Sequence, residues 1–521
     1  MKNYIYILLA ALVLPGCSDF LEEYSQDTAY IKGYEDLDEL LLGDCYLPKN
    51  RLAHLGQNYT DETWAFPYVH LMGDEVQENI TTPTTSSQLW SVPEKYYGYY
   101  TWQQQVGIDP DGVEIRKEDF DWQNLYYRIN IASMVIADID KQSADKPNDA
   151  LEKNRIKGEA FFLRGAYYFA LVNLYGAPYN PSTAAADLAV PIKVSEFIED
   201  KIYSRNTVAE VYSQVISDLK RAEELLEGTT RKSFYHADQN AARLLLSRVY
   251  LYMQDYDNCV SYAEKVLERK ADLQNLNAMP TAYFLDTDLN EIIFDMGNGA
   301  LRYSISDLHK GFGVSDYLYG LYDDDADLRK TYFIKYNETG KYPEYVKGGV
   351  DSGTDFERKS LSANYLFRTA ELYLNAAEAC ALSGKDSEAR NYLNTLRRNR
   401  IEAAGYTDVT LSGDALIDYI REERARELCL EGHRWFDLRR YSINERRPFT
   451  KTIRHSYTTW ETEYSYEVWT YVAVPKQTKW FELTPGDQAL TLPVPREVIT
   501  FNIGMTNNPR PARNAVETIN Y

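Results

Sequence analysis

The chain has 521 residues, enough for a large core, with 78 acidic against 56 basic side chains and a formal net charge of -22 at pH 7. That balance excludes a nucleic-acid partner, which phosphate repulsion would drive off, and it excludes a polybasic grip on anionic lipid. The one basic run, Arg397-Arg398-Asn399-Arg400, reads as a helix end, where cations meet the negative end of the helix dipole.

In chain order, the first signal is an address. Met1-Lys2 precedes an apolar stretch from Tyr4 to Val13 and then Leu14-Pro15-Gly16-Cys17. This resembles a bacterial lipoprotein signal, with residues 1–16 as the removed leader and Cys17 as the lipid-bearing residue. The apolar run is too short to span a bilayer, so the expected membrane contact is an N-terminal lipid anchor, with the folded part in water. The other cysteines, Cys45, Cys259, Cys380 and Cys429, lie far apart with no CxxC spacing and read as buried free thiols.

Tyrosine is abundant, 45 against 18 phenylalanines. Its ring can stack on the C–H face of a sugar while its hydroxyl hydrogen-bonds, although most of these rings are expected at helix–helix contacts. The densest aromatic patch is Trp90, Tyr96, Tyr97, Tyr99, Tyr100 and Trp102, in a Pro/Gly-containing loop before the first long helix. Two readings stay open for it: an exposed ligand platform, or rings packing the loop onto the helices. Trp122 is different, because its spacing to Leu125, Tyr126 and Ile129 marks a core residue.

Helical periodicity then dominates from about Asp119 to Arg269 and again from Leu361 to Arg440. Lys157 to Gly176 reads as a helix closed by glycine, and Asn206-Thr207 caps another that runs through Val211, Val215, Leu219 and Leu226. Two segments have tetratricopeptide-like spacing, each a helix pair with small residues at the contact: Ser247 with Cys259, and Ala377 with Ala389. Between and after the helices, about 274–360 and 442–521 read as long irregular segments rich in aromatics. A second ligand candidate lies there, at Tyr303, Phe312, Tyr317 and Tyr319. Asp323-Asp324-Asp325-Ala326-Asp327 lacks the glycine and closing glutamate of a calcium loop and reads as a solvated, helix-leading acidic run. Ser456 to Val474 is Thr/Tyr/Trp/Val-rich and predicts a β-hairpin.

The strongest local pattern is Arg421 to Arg440. On one continuous helix Arg424, Glu427, Glu431 and Arg434 would share a face. A catalytic carboxylate needs a raised pKa, and arginines alongside would lower it, so these four read as an ion network tying the helix to its neighbours.

At this motif the chain resembles the SusD/RagB family of Bacteroidetes outer-membrane nutrient-binding lipoproteins. The matching residues are Glu423-Arg424, Glu427-Leu428, Glu431-Gly432, Arg434 and Asp437-Leu438. Cys17 to Glu22, Gly158 to Gly176, Tyr365 to Leu374 and Leu490 to Arg496 match other parts of the family pattern in the same order. The tail departs from it, ending Asn-Ala-Val-Glu-Thr-Ile-Asn-Tyr instead of a short Pro-Gly-Tyr.

The resemblance implies a mainly α fold: one SusD-like domain over 17–521, on a tetratricopeptide-like helical repeat scaffold with a small β-hairpin region. Its frame would cover about 119–270 and 361–440, with elaborated loops at about 45–118, 274–360 and 442–521. It implies a non-catalytic protein at the cell surface, lipid-anchored to the outer membrane, that captures a glycan and delivers it to a SusC-like TonB-dependent transporter. Peptide capture in the RagB manner is the alternative on the same scaffold, and a scaffold without a ligand is another. A glycoside hydrolase using carboxylates such as Glu94 or Glu427 would need two carboxyls flanking a cleft. The six histidines are scattered and no HExxH, GxSxG or P-loop occurs, so neither metal nor cofactor is expected.

Overall fold

The computed structural model describes residues 31–47, 66–79, 94–115, 120–197, 199–280, 283–296, 311–322, 325–337, 342–348, 361, 365–467 and 469–521. Helix α1 (Tyr34–Leu40) continues as one wider turn through Cys45 and packs on α2 (Phe120–Asp138) and α3 (Asp149–Tyr175). α3 starts eight residues before the expected Lys157, with Asp149 and Glu152 in its first turn, where carboxylates complement the dipole. It stops at Gly176, two residues before Pro178. Most of its residues from Arg155 onward are buried, because α2 lies along one side and α4 (Val208–Leu225) along another. Gly158 permits that approach: a Cβ there would meet Leu226 Cγ at 2.7 Å. α4 opens on a capping box in which Thr207 Oγ1 accepts from the Glu210 N–H and the Glu210 carboxylate accepts from the Thr207 N–H.

The two predicted helix pairs form as antiparallel hairpins. In the first, α5 (Gln239–Tyr252) turns through left-handed Gln254 into α6 (Tyr256–Leu267), and Ser247 Oγ donates to Cys259 O at 2.9 Å. In the second, α7 (Thr369–Leu382) turns through Gly384, at φ 79°, into α8 (Asp386–Arg397). α7 packs against α5 and α6 and is buried along its whole length, which makes it the centre of the frame. α9 (Gly413–Glu427) lies against α7 and α8, followed by α10 (Arg434–Ser442) and α11 (Arg496–Phe501). This is a mainly α, tetratricopeptide-like scaffold. Cys45, Cys259, Cys380 and Cys429 are buried free thiols within it. Among the described residues no helix is long and apolar enough to cross a membrane.

Short strands staple the connecting segments to the frame, including the stretch expected to be irregular. β1 (Val76–Glu78), β2 (Ile292–Asp295), β3 (Phe312–Val314), β4 (Ile334–Asn337), β5 (Tyr342–Tyr345) and β6 (Leu366–Arg368) form antiparallel pairs β1/β3, β2/β6 and β4/β5. The predicted hairpin is longer than expected, with β7 (Ile453–Ser465) paired to β8 (Thr470–Leu483). A third strand, β9 (Glu517–Asn520), covers only Gln477 to Trp480 of β8. In the acidic run Asp323 and Asp324 lie outside the described residues, and the described part is not simply solvated. Asp325 is exposed, whereas Asp327 is buried because Arg329 turns back to pair with it at 2.7 Å.

Candidate functional site

The described part of the aromatic patch before the first long helix is interior, which favours the second of its two readings, rings packing the loop onto the frame, over an exposed platform. Tyr96, Tyr97, Tyr99, Tyr100 and Trp102 are all buried. Tyr99 stacks on Tyr68 with centroids 4.0 Å apart, and Tyr97 meets Tyr457 edge to face at 4.7 Å. His455 lies between Tyr100 and Trp102, at 4.2 and 4.4 Å, and Trp102 Nε1 donates to Met72 O at 3.0 Å. Burial holds the His455 imidazole down to about 4, although its two ring nitrogens face the carbonyls of Tyr100 and Gly73, which favour the proton. These rings fasten the base of the β7/β8 hairpin to the frame, and a loop without aliphatic side chains enough for its own core uses its aromatics for that purpose. Phe312, in β3, is buried against Tyr100 at 4.8 Å and is likewise a packing residue. Trp90 and Tyr303 lie outside the described residues.

Tyr317 and Tyr319 remain half-exposed. Both sit in the short helix Asp316–Gly320, which Ser315 caps by accepting the Leu318 N–H at 3.0 Å. Tyr319 leans on Tyr336 at 5.8 Å, and Tyr317 opens onto a cleft of about 210 Å³. The cleft is shared by Tyr317, Asp418, Arg421, Glu422, Arg434 and Lys451, with Pro448 and Phe449 as apolar lining. Arg434 clamps Asp74 through two bonds of 2.7 Å and reaches the Tyr317 hydroxyl with Nη2 at 3.3 Å. Lys451 Nζ stands 5.5 Å from the same ring. Burial opposes the charge on Arg434, but Asp74 outweighs it and keeps that guanidinium charged, while burial raises the Tyr317 phenol. The result is a half-open ring edged by fixed donors and carboxylate acceptors, which is the chemistry a polyhydroxylated ligand needs.

The signature motif has a different geometry from one continuous helix. α9 ends at Glu427, Leu430 and Gly432 take left-handed conformations, and α10 starts at Arg434. The four motif residues therefore do not share a helix face. Arg424 donates to Asp437 at 2.8 Å and Arg434 turns to Asp74, while Glu427 and Glu431 enter a separate buried cluster. There Glu427 takes bonds from Arg368 (2.6 Å), Arg400 (2.9 Å) and Arg329 (3.2 Å). Glu431 takes them from Arg368 and Lys347, and Glu291 bridges Arg368 at 2.9 Å and Arg400 at 2.5 Å. Burial raises the Glu427 carboxyl, but Arg400 and Arg368 overcome it and hold the group well below the carboxylate range. A permanently ionised carboxylate with no exposure is a structural anchor and has no proton to donate as a general acid.

Arg329, Lys347 and Glu291 escaped sequence reasoning because each lies alone in a segment without helical pattern, and Arg368 because it reads as one more position of the helical stretch from Leu361, whereas it ends β6. Arg400 was visible in its basic run but is fully buried beyond the end of α8. Also missed were Tyr464, Tyr466, Trp469 and Tyr471, large exposed rings at the end of the predicted hairpin. Their abundance in the predicted hairpin was visible, but that its end stands away from the frame and leaves these rings in water was not.

Comparison with known proteins agrees with this architecture. Residues 327–510 match the model of the SusD family, and 57–251 match a second model described as starch-binding associating with outer membrane. A SusD-like protein of Formosa agariphila is 28% identical over 385 residues, covering 62% of this chain and 71% of that protein. A candidate sugar-binding protein of Bacteroides vulgatus superposes with a TM-score of 0.67 at 25% identity, covering 92% of this chain and 99% of that one. A SusD superfamily protein of Bacteroides thetaiotaomicron shares the fold at a TM-score of 0.66 and 23% identity, over 92% of this chain and 100% of that one. With two family models placed in order along one helical frame, and the Glu427–Glu431 motif locked into its core, the chain belongs to the SusD family.

Proposed function

We propose that this protein is a non-catalytic carbohydrate-binding lipoprotein of the outer membrane, anchored through Cys17 and working at the cell surface. It captures an oligo- or polysaccharide and delivers it to a SusC-like TonB-dependent transporter. The observation that carries the reading is the match of 57–251 to the outer-membrane starch-binding model on a chain that belongs to the SusD family. The half-exposed Tyr317, edged by Arg434 and Lys451 in the cleft, supports ligand binding there, with Tyr319 beside it. Burial of Glu427 among guanidiniums argues against its use in glycoside hydrolysis.

The test is a glycan-array screen of chain 18–521, which contains every described residue, alongside Tyr317→Ala and a parallel peptide library. Binding to one polysaccharide class, weakened in Tyr317→Ala, is the expected result. Peptide binding with no glycan binding would replace the cargo, and release of sugar products by the pure protein would overturn the non-catalytic reading.

A further inference from the structure

The β7/β8 ribbon has two halves of different character. Its inner half is fixed: Ile453, His455, Tyr457 and Thr458 on β7, and Thr478, Phe481 and Leu483 on β8, are buried, and β9 pairs only with this portion. The register then slips between Thr459 and Trp460, so that one extra residue stands on β8. Such a bulge bends and twists a ribbon, and beyond it Glu461 to Tyr464 of β7 are exposed. The ribbon projects from the frame and ends in rings.

Those rings are arranged rather than scattered. Tyr464 and Tyr471 are directly opposite in register, so they share one ribbon face. Tyr464 meets Tyr471 edge to face at 5.2 Å and Tyr466 at 5.0 Å, and Tyr466 meets Trp469 at 6.5 Å, with interplanar angles of 77 to 79° throughout. Tyr466 and Trp469 are 75% and 76% exposed. Trp469 has φ 52°, a left-handed conformation that costs a bulky residue energy and that glycine would adopt freely. An edge-to-face row lets each ring support its neighbour by an edge while leaving ring faces open to water. Among the described residues the three tyrosine hydroxyls have no hydrogen-bond partner.

The charges around the row select its occupant. Glu467 is exposed in the turn beside the rings, Glu461 and Glu463 are exposed on the ribbon's other face, one residue out of phase with Tyr464, and Lys476 faces Glu461 at 3.6 Å. An acidic rim repels phosphate, sulfate and carboxylate groups, and with them anionic lipid headgroups and acidic polysaccharides. Open ring faces joined to free hydroxyls complement a ligand with C–H faces and hydroxyl groups and no negative charge. We infer that the hairpin tip is a second carbohydrate site, in which Tyr464, Tyr466, Trp469 and Tyr471 stack on the units of a neutral glycan chain. The inference rests on the proposed carbohydrate role and adds to it a place, remote in sequence from Tyr317, and a ligand charge.

Affinity electrophoresis of chain 18–521 tests it, using gels that contain amylopectin, xylan or galactomannan, or the acidic polygalacturonate and chondroitin sulfate. Wild type is compared with Tyr466→Ala/Trp469→Ala and with Tyr317→Ala, and the tip variant keeps the wild-type Tm because both rings are mainly in water. The expected result is retardation of wild type in a neutral polysaccharide gel and a loss of roughly tenfold or more in affinity for the tip variant, the scale of losing a central aromatic contact. Equal retardation of wild type and tip variant would overturn this inference and leave the proposed function standing. Retardation by acidic polysaccharides alone would overturn it as well. So would a tip variant that loses binding to phosphatidylethanolamine/phosphatidylglycerol vesicles while its glycan binding is unchanged. Absence of carbohydrate binding by wild type would remove the proposed function itself.

Discussion

At the residue scale, two buried groups couple stability to pH in opposite directions. Burial pushes the Glu75 carboxyl up to about 8, against the pull of the Leu430 N–H, which donates to it at 2.7 Å. The folded state therefore keeps a proton that the unfolded chain releases near the ordinary glutamate value, and stability contributed by this group is lost as pH rises from about 4.5 toward 8. His455 acts the other way. Its folded value is depressed, so its contribution is present above about 6.5 and is lost as pH falls toward 4. Glu75→Gln keeps the shape and cannot ionise. Urea unfolding from pH 5 to 8 is expected to show the variant gaining on wild type as pH rises, by at most about 1.4 kcal/mol per pH unit. A constant difference between the two proteins across that range would show that Glu75 is ionised throughout.

At the scale of elements, the Glu427 cluster joins pieces that have no other reason to meet. It ties the end of α9 to Arg368 at the end of β6, to Arg400 after α8, and to Arg329 from the short helix Arg329–Tyr332. Arg368 is also the N-terminal flanking residue of α7, where its side chain makes no cap bond, so its ion pairs hold the start of the central helix against the cluster. Replacing one member of such a set leaves uncompensated buried charge, which costs more than the set contributes over an apolar equivalent. Glu427→Ala is expected to lose about 3 to 5 kcal/mol of unfolding free energy in urea. A loss within the range of an exposed pair, below about 1 kcal/mol, would show that water enters and relaxes the cluster. The break after α9 belongs to the same device, since the left-handed residues Leu430 and Gly432 turn Glu431 toward Arg368 and Lys347.

For the whole molecule, the proposed placement at the outer membrane raises the question of how a chain of net charge -22 would be held at an anionic surface. The proposed answer is covalent: lipid on Cys17 supplies the attachment, and the acidic body stays in water. Cys17→Ser is expected to move the protein from the membrane fraction to the soluble fraction of expressing cells and to abolish incorporation of labelled palmitate. Retention in the membrane fraction without label would point to attachment through a protein partner instead.

The local signals in the sequence were sufficient for the frame. Three-to-four residue periodicity, the Thr207 cap, the small residues at Ser247 and Ala377 and the Thr/Tyr/Trp/Val-rich composition after Ser456 are each local to the chain, so they are legible without coordinates. The motif around Glu427 was legible as an ion network for the same reason, but its partners were not: Arg329 reaches Glu427 from 98 positions away and Arg368 from 59. Which aromatics meet water was decided only by tertiary structure. Tyr97 to Trp102 and Tyr464 to Tyr471 are similar in composition, yet the first group closes the base of the ribbon and the second ends it. Burial is a property of what packs against a residue from elsewhere in the chain, and local pattern carries only the residue's own capacity to be buried.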